Sequence, residues 1–185
     1  KVEELFGEEE MPLLFEDFKE GAFVSARVSG KEVLYPVSPE FFPADGYYKE
    51  GKIERFRGSI PTYIFAGCDV SVKMLSYELA KEGIRFLPIY SSSERALRLL
   101  KDGYTHLAGI HLGSFEENLR RVKEYLGKGY TILKVFSWEE GIITRRGSIN
   151  KLKDLKDKRL LWLVREKGSG SRLVFEEFAR ELRNY

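Results

Sequence analysis

The sequence has 185 residues, of which 43% are apolar and 14% aromatic, and its 31 Lys and Arg residues nearly balance its 29 Asp and Glu residues. This composition excludes a disordered chain, and the charge balance argues against a module that binds DNA by itself. No apolar run approaches the roughly 18 residues of a membrane-spanning helix, and the acidic first twenty residues do not resemble a secretory signal. We therefore expect a cytoplasmic protein without membrane contact.

Cysteine and histidine are scarce: there is one cysteine, Cys68, and there are two histidines. A single cysteine excludes an internal disulfide. One cysteine and two histidines are too few to favour a structural zinc site, and we predict neither a metal nor a cofactor.

Residues 1–58 differ in pattern from the rest of the chain. They open with an acidic, helix-like stretch, and then two short strands are predicted at Ala22–Val28 and Glu32–Val37 around a turn at Ser29–Lys31. Three prolines within residues 36–43 disfavour a long helix or a central strand there, and Asp45-Gly46 predicts a further turn. Because the chain begins with a lysine, we interpret this part as an extension that follows a missing N-terminal domain.

From Ile60 onward short apolar strands alternate with amphipathic helices. The elements predicted up to Gly127 are strands at Ile60–Ala66, Ile84–Tyr90 and Tyr104–Ile110, with a helix after each, and capping boxes at Ser91 with Glu94 and at Ser114 with Glu117. The later elements predicted are strands at Tyr130–Phe136, Gly141–Thr144 and Leu160–Val164, a short helix near Lys151–Leu155, and a final helix after Arg172. Strands separated by helices indicate βαβ units and an α/β fold with mainly parallel sheets.

Small polar loops follow the predicted strands. Ligands of open α/β sheets bind where the strands end, and helix N-termini there favour an anion. The candidate ligand-binding residues in these loops are Cys68, Asp69, Ser71, Ser91, Ser92, Ser93, His111, Ser169, Gly170, Ser171 and Arg172. Each serine has an alternative role as a helix cap, and Arg172 has one as part of a surface ion pair.

Catalytic groups do not assemble into a recognisable constellation. The loop at Gly168–Arg172 lacks the ending of a P-loop, and Cys68 is interpreted as a small buried thiol in preference to a reactive thiolate. His106 and His111 lie five residues apart on one strand, so they point to opposite faces. His106 is interpreted as structural and His111 as a ligand contact. The sequence thus favours binding over catalysis, and we predict that the protein is not an enzyme.

The chain resembles the periplasmic-binding-protein-like domain of molybdate-related proteins over about Ile60 to Tyr185. The residues that carry the resemblance are Phe65–Asp69, Ser91–Ser93, Ala96-Leu97, Gly103, His106, Ala108-Gly109, His111-Leu112, Asn118-Leu119, Trp138–Gly141 and Arg165–Arg172. The resemblance implies a type 2 fold with two lobes, at 59–112 and 113–185. Such chains continue past the final helix, so we expect a fold that is incomplete at its C-terminus.

The resemblance also implies a function. Similar domains sense ligands in cytosolic transcriptional regulators, and Lys1–Phe6 resembles the tail of a Cro/repressor-type helix-turn-helix unit. The expected ligand is a small anion, either molybdate or tungstate or a molybdopterin-related compound. DNA would be contacted only through the missing helix-turn-helix domain, and a homodimer is compatible with this role. The alternatives are a non-regulatory molybdate-binding or molybdenum-cofactor biosynthesis domain and an enzyme that uses Cys68 as its nucleophile.

Overall fold

The structure of the protein is a computed structural model that describes residues 11–56, 58, 60–145, 149–157 and 159–184. The resemblance at Lys1–Phe6 lies outside these residues. The strands are β1 (Leu13–Leu14), β2 (Gly21–Val28), β3 (Lys31–Pro36), β4 (Gly46–Lys49), β5 (Lys52–Arg55), β6 (Thr62–Gly67), β7 (Arg85–Tyr90) and β8 (Leu107–Ala108). The helices are α1 (Val72–Lys81), α2 (Ser93–Lys101), α3 (Phe115–Leu126), a 3-10 helix (Leu152–Lys156) and α4 (Gly170–Asn184).

Strands β1 to β5 form a first sheet in the order β1-β3-β2-β4-β5. All neighbours are antiparallel except β1 and β3, so this sheet differs from the mainly parallel sheets that are expected from Ile60 onward. The predicted hairpin is confirmed: Ser29 and Gly30 both have positive φ values, of 50° and 84°. Two such residues give the turn a twist that matches the flanking strands. The segment interpreted as an extension with short strands thus builds a five-stranded sheet.

Strands β6, β7 and β8 form a second sheet in the order β7-β6-β8, and all its pairs are parallel. The predicted βαβ units are therefore confirmed here, with α1 and α2 as the crossovers. The capping box at Ser114 and Glu117 is confirmed as well. The strand predicted at Tyr104–Ile110 is reduced to the two residues of β8, because only Leu107 and Ala108 pair with β6.

The two sheets share one apolar core. Ala26, Val33 and Tyr35 of the first sheet cluster with Ile64 and Ala66 of the second. The Tyr35 hydroxyl also donates a 2.6 Å hydrogen bond to the carbonyl oxygen of Tyr104. This common burial makes the first sheet an integral support of the second.

A buried ion pair joins the two sheets. Asp45, only 1% exposed, accepts a 2.7 Å hydrogen bond from Nη1 of Arg85 and a 2.9 Å hydrogen bond from the backbone N–H of Ser25. The turn predicted at Asp45-Gly46 is therefore wrong, and Gly46 begins β4. The Cβ atom of any other residue at Gly46 would lie 2.2 Å from the carbonyl oxygen of Glu54. The two residues that suggested a turn are instead an internal anion and a point of close strand contact.

Residues 128–165 differ most from the prediction. The strands expected at Tyr130–Phe136, Gly141–Thr144 and Leu160–Val164 are wrong for the described residues, since none of them pairs with another strand. Leu161 and Leu163 are fully exposed. Apolar, β-branched segments form strands only where a neighbour supplies ladder hydrogen bonds and a surface to pack on. The helix expected at Lys151–Leu155 is the 3-10 helix.

Candidate functional site

A cleft of about 1180 Å³ runs along the second sheet and reaches its carboxyl edge, where β6 and β8 end. One wall comes from the ends of β6 and β8 and from α3, and the other from residues 130–140. The lining is mainly apolar and aromatic, with few polar groups. A concave apolar space with a few convergent polar groups is the usual form of a ligand site.

Cys68, Asp69 and Ser71 follow β6 and all line the cleft. Cys68 Sγ lies 2.7 Å from Nε2 of His111, which follows β8. Asp69 Oδ1 accepts a 2.8 Å hydrogen bond from the backbone N–H of Ser71. The carboxylate therefore orders the turn into α1, whose N-cap residue Ser71 makes no side-chain capping bond.

Ser91, Ser92 and Ser93 follow β7 but are not part of the cleft wall. The capping box predicted at Ser91 and Glu94 is wrong, because α2 begins one residue later and Ser92 is its N-cap. Ser93 is fully buried, and its Oγ accepts a 3.1 Å hydrogen bond from the backbone N–H of His111. Ser91 Oγ is buried without a partner among the described residues.

The N-terminus of α4 meets the loop that carries His111. A Cβ atom at Gly170 would lie 1.6 Å from the carbonyl oxygen of His111, so only glycine permits this approach. Ser169 Oγ donates to the carbonyl oxygen of Glu166 at 3.1 Å and accepts from the backbone N–H of Arg172 at 3.2 Å. Ser169 thus acts as a helix cap, the alternative role considered for the serines.

Ser171 and Arg172 are also engaged within the protein. Ser171 Oγ donates a 2.9 Å hydrogen bond to Oε1 of Glu140. Arg172 pairs with Glu176 on its own helix at 2.6 Å, and its Nη1 donates to the carbonyl oxygen of Arg165 at 3.3 Å. The helix ion pair corresponds to the alternative considered for Arg172.

Glu140 is the residue that the sequence reasoning did not include in the site. Its Oε1 lies 3.6 Å from Nδ1 of His111 and 3.5 Å from Nε1 of Trp138. The rings of His111 and Trp138 lie 4.9 Å apart. The only signal for Glu140 was the Trp-Glu-Glu-Gly segment within the resemblance, because its contacts arise from chain packing that no local spacing reveals.

Burial favours the neutral forms of Cys68 and His111. It raises the pKa of the Cys68 thiol, although the nearby Arg165 opposes this shift. It lowers the pKa of His111, against the opposing effect of Glu140. Both groups are therefore neutral near pH 7. A neutral His111 ring that accepts a hydrogen bond from the thiol at Nε2 carries its proton on Nδ1, which faces Glu140.

His106 has a different environment at the amino edge of the second sheet, where the strands begin. Its Nδ1 accepts a 3.0 Å hydrogen bond from the backbone N–H of Ile64, so its Nε2 donates to the carbonyl oxygen of Arg27, also at 3.0 Å. These two backbone contacts support its interpretation as structural.

Two features are absent from the described part of the chain. No three His, Cys, Asp or Glu side chains converge there as a metal site would require. In the same residues, none of the helices combines the length and the apolar character needed to span a bilayer.

One of the comparisons with known proteins identifies a family. Residues 76–184, more than half of the chain, match the family described as "PBP superfamily domain". The uncharacterized protein YvgK of Bacillus subtilis (strain 168) is 29% identical over 126 residues, which cover 63% of this chain and 41% of that protein. The chain thus spans less than half the length of this relative, and no solved structure matches it significantly. The chain belongs to the periplasmic-binding-protein-like (PBP) superfamily, whose domains have a ligand-binding role.

Proposed function

We propose that the cleft binds a small anionic effector, either an oxyanion of the molybdate and tungstate type or a molybdopterin-related compound. In this proposal the chain is the sensing domain of a cytosolic transcriptional regulator that contacts DNA through a separate helix-turn-helix domain. Ligand binding would shift the population of dimers able to bind DNA. Membership of the PBP superfamily supports ligand binding without catalysis.

The observation that carries the proposal is the meeting of three chain segments at His111. Its imidazole contacts Cys68 after β6, and its backbone contacts the first turn of α4 at Gly170. The Nδ1 side faces Glu140. A ligand that enters the cleft can therefore touch groups from distant parts of the sequence at once. Binding that changes how these segments meet is a physical route from a ligand to a domain movement.

Calorimetric titration tests the ligand class. We expect heat from molybdate or tungstate, or from a pterin, and none from sulfate or phosphate at the same concentration. Binding should weaken in Ser171→Ala, because Ser171 connects α4 to Glu140 in the cleft. The matched control is Ser38→Ala, an exposed serine outside the cleft wall. No heat from the oxyanions or the pterin contradicts the proposal.

The regulatory role is separable from the ligand. The alternative is a non-regulatory molybdate-binding or molybdenum-cofactor biosynthesis domain. Reading the coding sequence upstream of Lys1 in the intact gene distinguishes them. A helix-turn-helix segment there supports regulation, and a secretory signal supports transport.

A second candidate function is favoured by one observation. Cys68, His111 and Glu140 are arranged in the order of a nucleophile, its base and an orienting carboxylate. The raised thiol pKa and the lowered imidazole pKa oppose a resting thiolate. Titration of the thiol by its alkylation rate decides: a reactive thiolate below pH 7 supports an enzyme, and a pKa above that of free cysteine supports the binding function.

A further inference from the structure

The cleft contains a carboxylate, that of Glu140, in which only one of the two oxygens is contacted by described residues. Glu140 Oε1 accepts the hydrogen bond from Ser171 and faces Trp138 and His111, whereas no described residue donates to its Oε2. The side chain is about one quarter exposed. Carboxylates accept hydrogen bonds through two oxygens. Glu140 therefore offers a free acceptor to whatever occupies the cleft.

Three of the predicted anion ligands are already engaged within the protein. Ser93 accepts from His111, Ser169 caps α4, and Arg172 pairs with Glu176. A tetrahedral oxyanion near Ser171 would meet the like charge of Glu140, which is unfavourable in a partly buried site. A ligand beside Glu140 is therefore favoured when it presents hydrogen-bond donors, and not a negative charge, to this carboxylate.

The walls of the cleft suit a flat ring. The Trp138 ring is tilted by 42° from that of Phe136, at 5.3 Å, and by 59° from that of His111, at 4.9 Å. A volume of about 1180 Å³ is on the scale of sites for drug-sized molecules, and it far exceeds a single oxyanion. Aromatic walls contribute most to a ligand with a planar π-system.

The electrostatic balance disfavours a simple cation. Arg165 lies close enough for its charge to lower the pKa of Cys68 and to lower that of His111. Glu140 in turn contributes to the raised pKa of the Arg165 guanidinium. A positive and a negative group thus act on the same space. A neutral ligand with donors on one edge and acceptors on another matches both.

We infer that the cleft takes a planar heteroaromatic ring with adjacent N–H donors, of the 2-amino-4-oxopyrimidine kind found in pterins and in guanine. The donors would engage the carboxylate of Glu140, and the ring would stack on Trp138. This inference rests on the proposed function, because it selects the pterin-type ligand over the bare oxyanion. Pterin and guanine share the recognised edge, so the experiment carries an arm for each.

The experiment is calorimetry on the full chain with pterin, guanosine, inosine and molybdate as probes. Inosine lacks the amino group of guanosine and should bind at least about tenfold more weakly than guanosine, since one charged hydrogen bond is lost. Glu140→Gln should weaken pterin or guanosine binding by about tenfold or more for the same reason. The matched control is Glu139→Gln, whose exposed side chain is not part of the cleft wall.

Trp138 supplies a second readout. The chain has two tryptophans, so a Trp162→Phe background leaves Trp138 as the fluorescent reporter, and its emission should be quenched by the stacked ring. Binding of pterin alone or of guanosine alone supports the inference and identifies the source of the ring. Molybdate binding that Glu140→Gln strengthens, without heat from either ring, overturns the inference and leaves the proposed function intact. No heat from any probe overturns both.

Discussion

Polar side chains have different hydrogen-bond partners at the two edges of the second sheet. At the amino edge His106 has both ring nitrogens bonded to the backbone, and Arg85 is paired with Asp45. At the carboxyl edge His111 faces a thiol and a carboxylate inside the cleft, and Ser91 Oγ lacks a partner among the described residues. Two histidines only five positions apart therefore differ in their contacts: His106 is bonded to the backbone through both ring nitrogens, and His111 faces the groups of the proposed ligand site.

This contrast explains why we place the proposed binding site at the carboxyl edge. Polar groups buried at the amino edge are satisfied by the first sheet, which contributes Asp45 and the carbonyl oxygen of Arg27. At the carboxyl edge the first sheet does not play this role among the described residues. The segments that pack there are α4 and residues 130–140. Substitutions at the two edges should accordingly separate stability from binding.

The largest effect is expected at the amino edge, from Asp45→Ala. Removing the carboxylate leaves the Arg85 guanidinium buried without its partner, which should lower the free energy of unfolding by about 3–5 kcal/mol. Urea denaturation measures the loss. The exposed pair of Lys81 and Glu78 provides the control, since Lys81→Ala should cost less than about 1 kcal/mol. Similar losses in both variants would remove the distinction between a buried and a surface pair.

Gly170→Ala tests the contact between α4 and the carboxyl edge. The new Cβ atom cannot fit beside the carbonyl oxygen of His111, so the first turn of α4 must shift. Overpacking of this kind costs about 1–3 kcal/mol, and ligand binding should fall with it. Gly58→Ala is the control, because nothing lies within 4 Å of a Cβ atom there. Unchanged thermal unfolding and binding in Gly170→Ala would show that the contact does not matter.

The two histidines permit a direct comparison. His106→Ala leaves the Ile64 N–H and the Arg27 carbonyl without their side-chain partner, which should cost about 1–3 kcal/mol of stability. His106 also lines the cleft, but both of its ring nitrogens are bonded to the backbone, so ligand affinity should change little in that variant. His111→Ala should reverse the pattern, with a smaller loss of stability and a clear loss of affinity. Equal effects of the two variants in chemical denaturation and calorimetry would contradict the assignment of roles to the edges.

The smallest expected effect is a pH dependence at the carboxyl edge. The pKa of His111 is lowered below its ordinary value of 6.5 by burial, so the unfolded chain takes up this proton at a higher pH than the folded protein does. The stability linked to His111 is therefore complete above about pH 6.5 and is lost as the pH falls toward the folded pKa. Unfolding free energies from about pH 7 to pH 5 should decline more steeply in wild type than in His111→Gln. Parallel curves would contradict the shift.

The sequence predicted the elements that depend on local chemistry. The Ser29-Gly30 turn, the helices after β6 and β7 and the capping box at Ser114 all follow from short-range patterns. The apolar segments around Val135 and Leu163 are not strands in the structure. A strand needs a neighbouring strand to pair with, and the apolar pattern of a segment does not show whether such a neighbour exists. Asp45 was misread as a turn residue for a related reason, since its partner Arg85 lies forty residues away.

The candidate site was predictable in part. Cys68 and His111 were expected at strand ends, and the structure brings them to 2.7 Å. Gly170 and Ser171 were expected at a helix start and do meet this edge, one against the His111 backbone and the other through Glu140. The serines after β7 cap or support the fold instead of lining the cleft. The spacing of residues in the sequence could not predict the position of Glu140, because Glu140 lies in a segment without regular secondary structure.

The short pairing of β8 has a kinetic consequence. Only Phe65 with Leu107 and Ala66 with Ala108 pair along the ladder that precedes His111. A ladder of two residues opens locally at far less cost than the global unfolding of the core. The backbone amide of Gly109, which donates to Ala66 at 2.7 Å, should exchange with deuterium sooner than the amides of β6 that pair with β7. A bound ligand that holds this strand end closed would then be detected as slower exchange at Gly109, whatever its chemical identity.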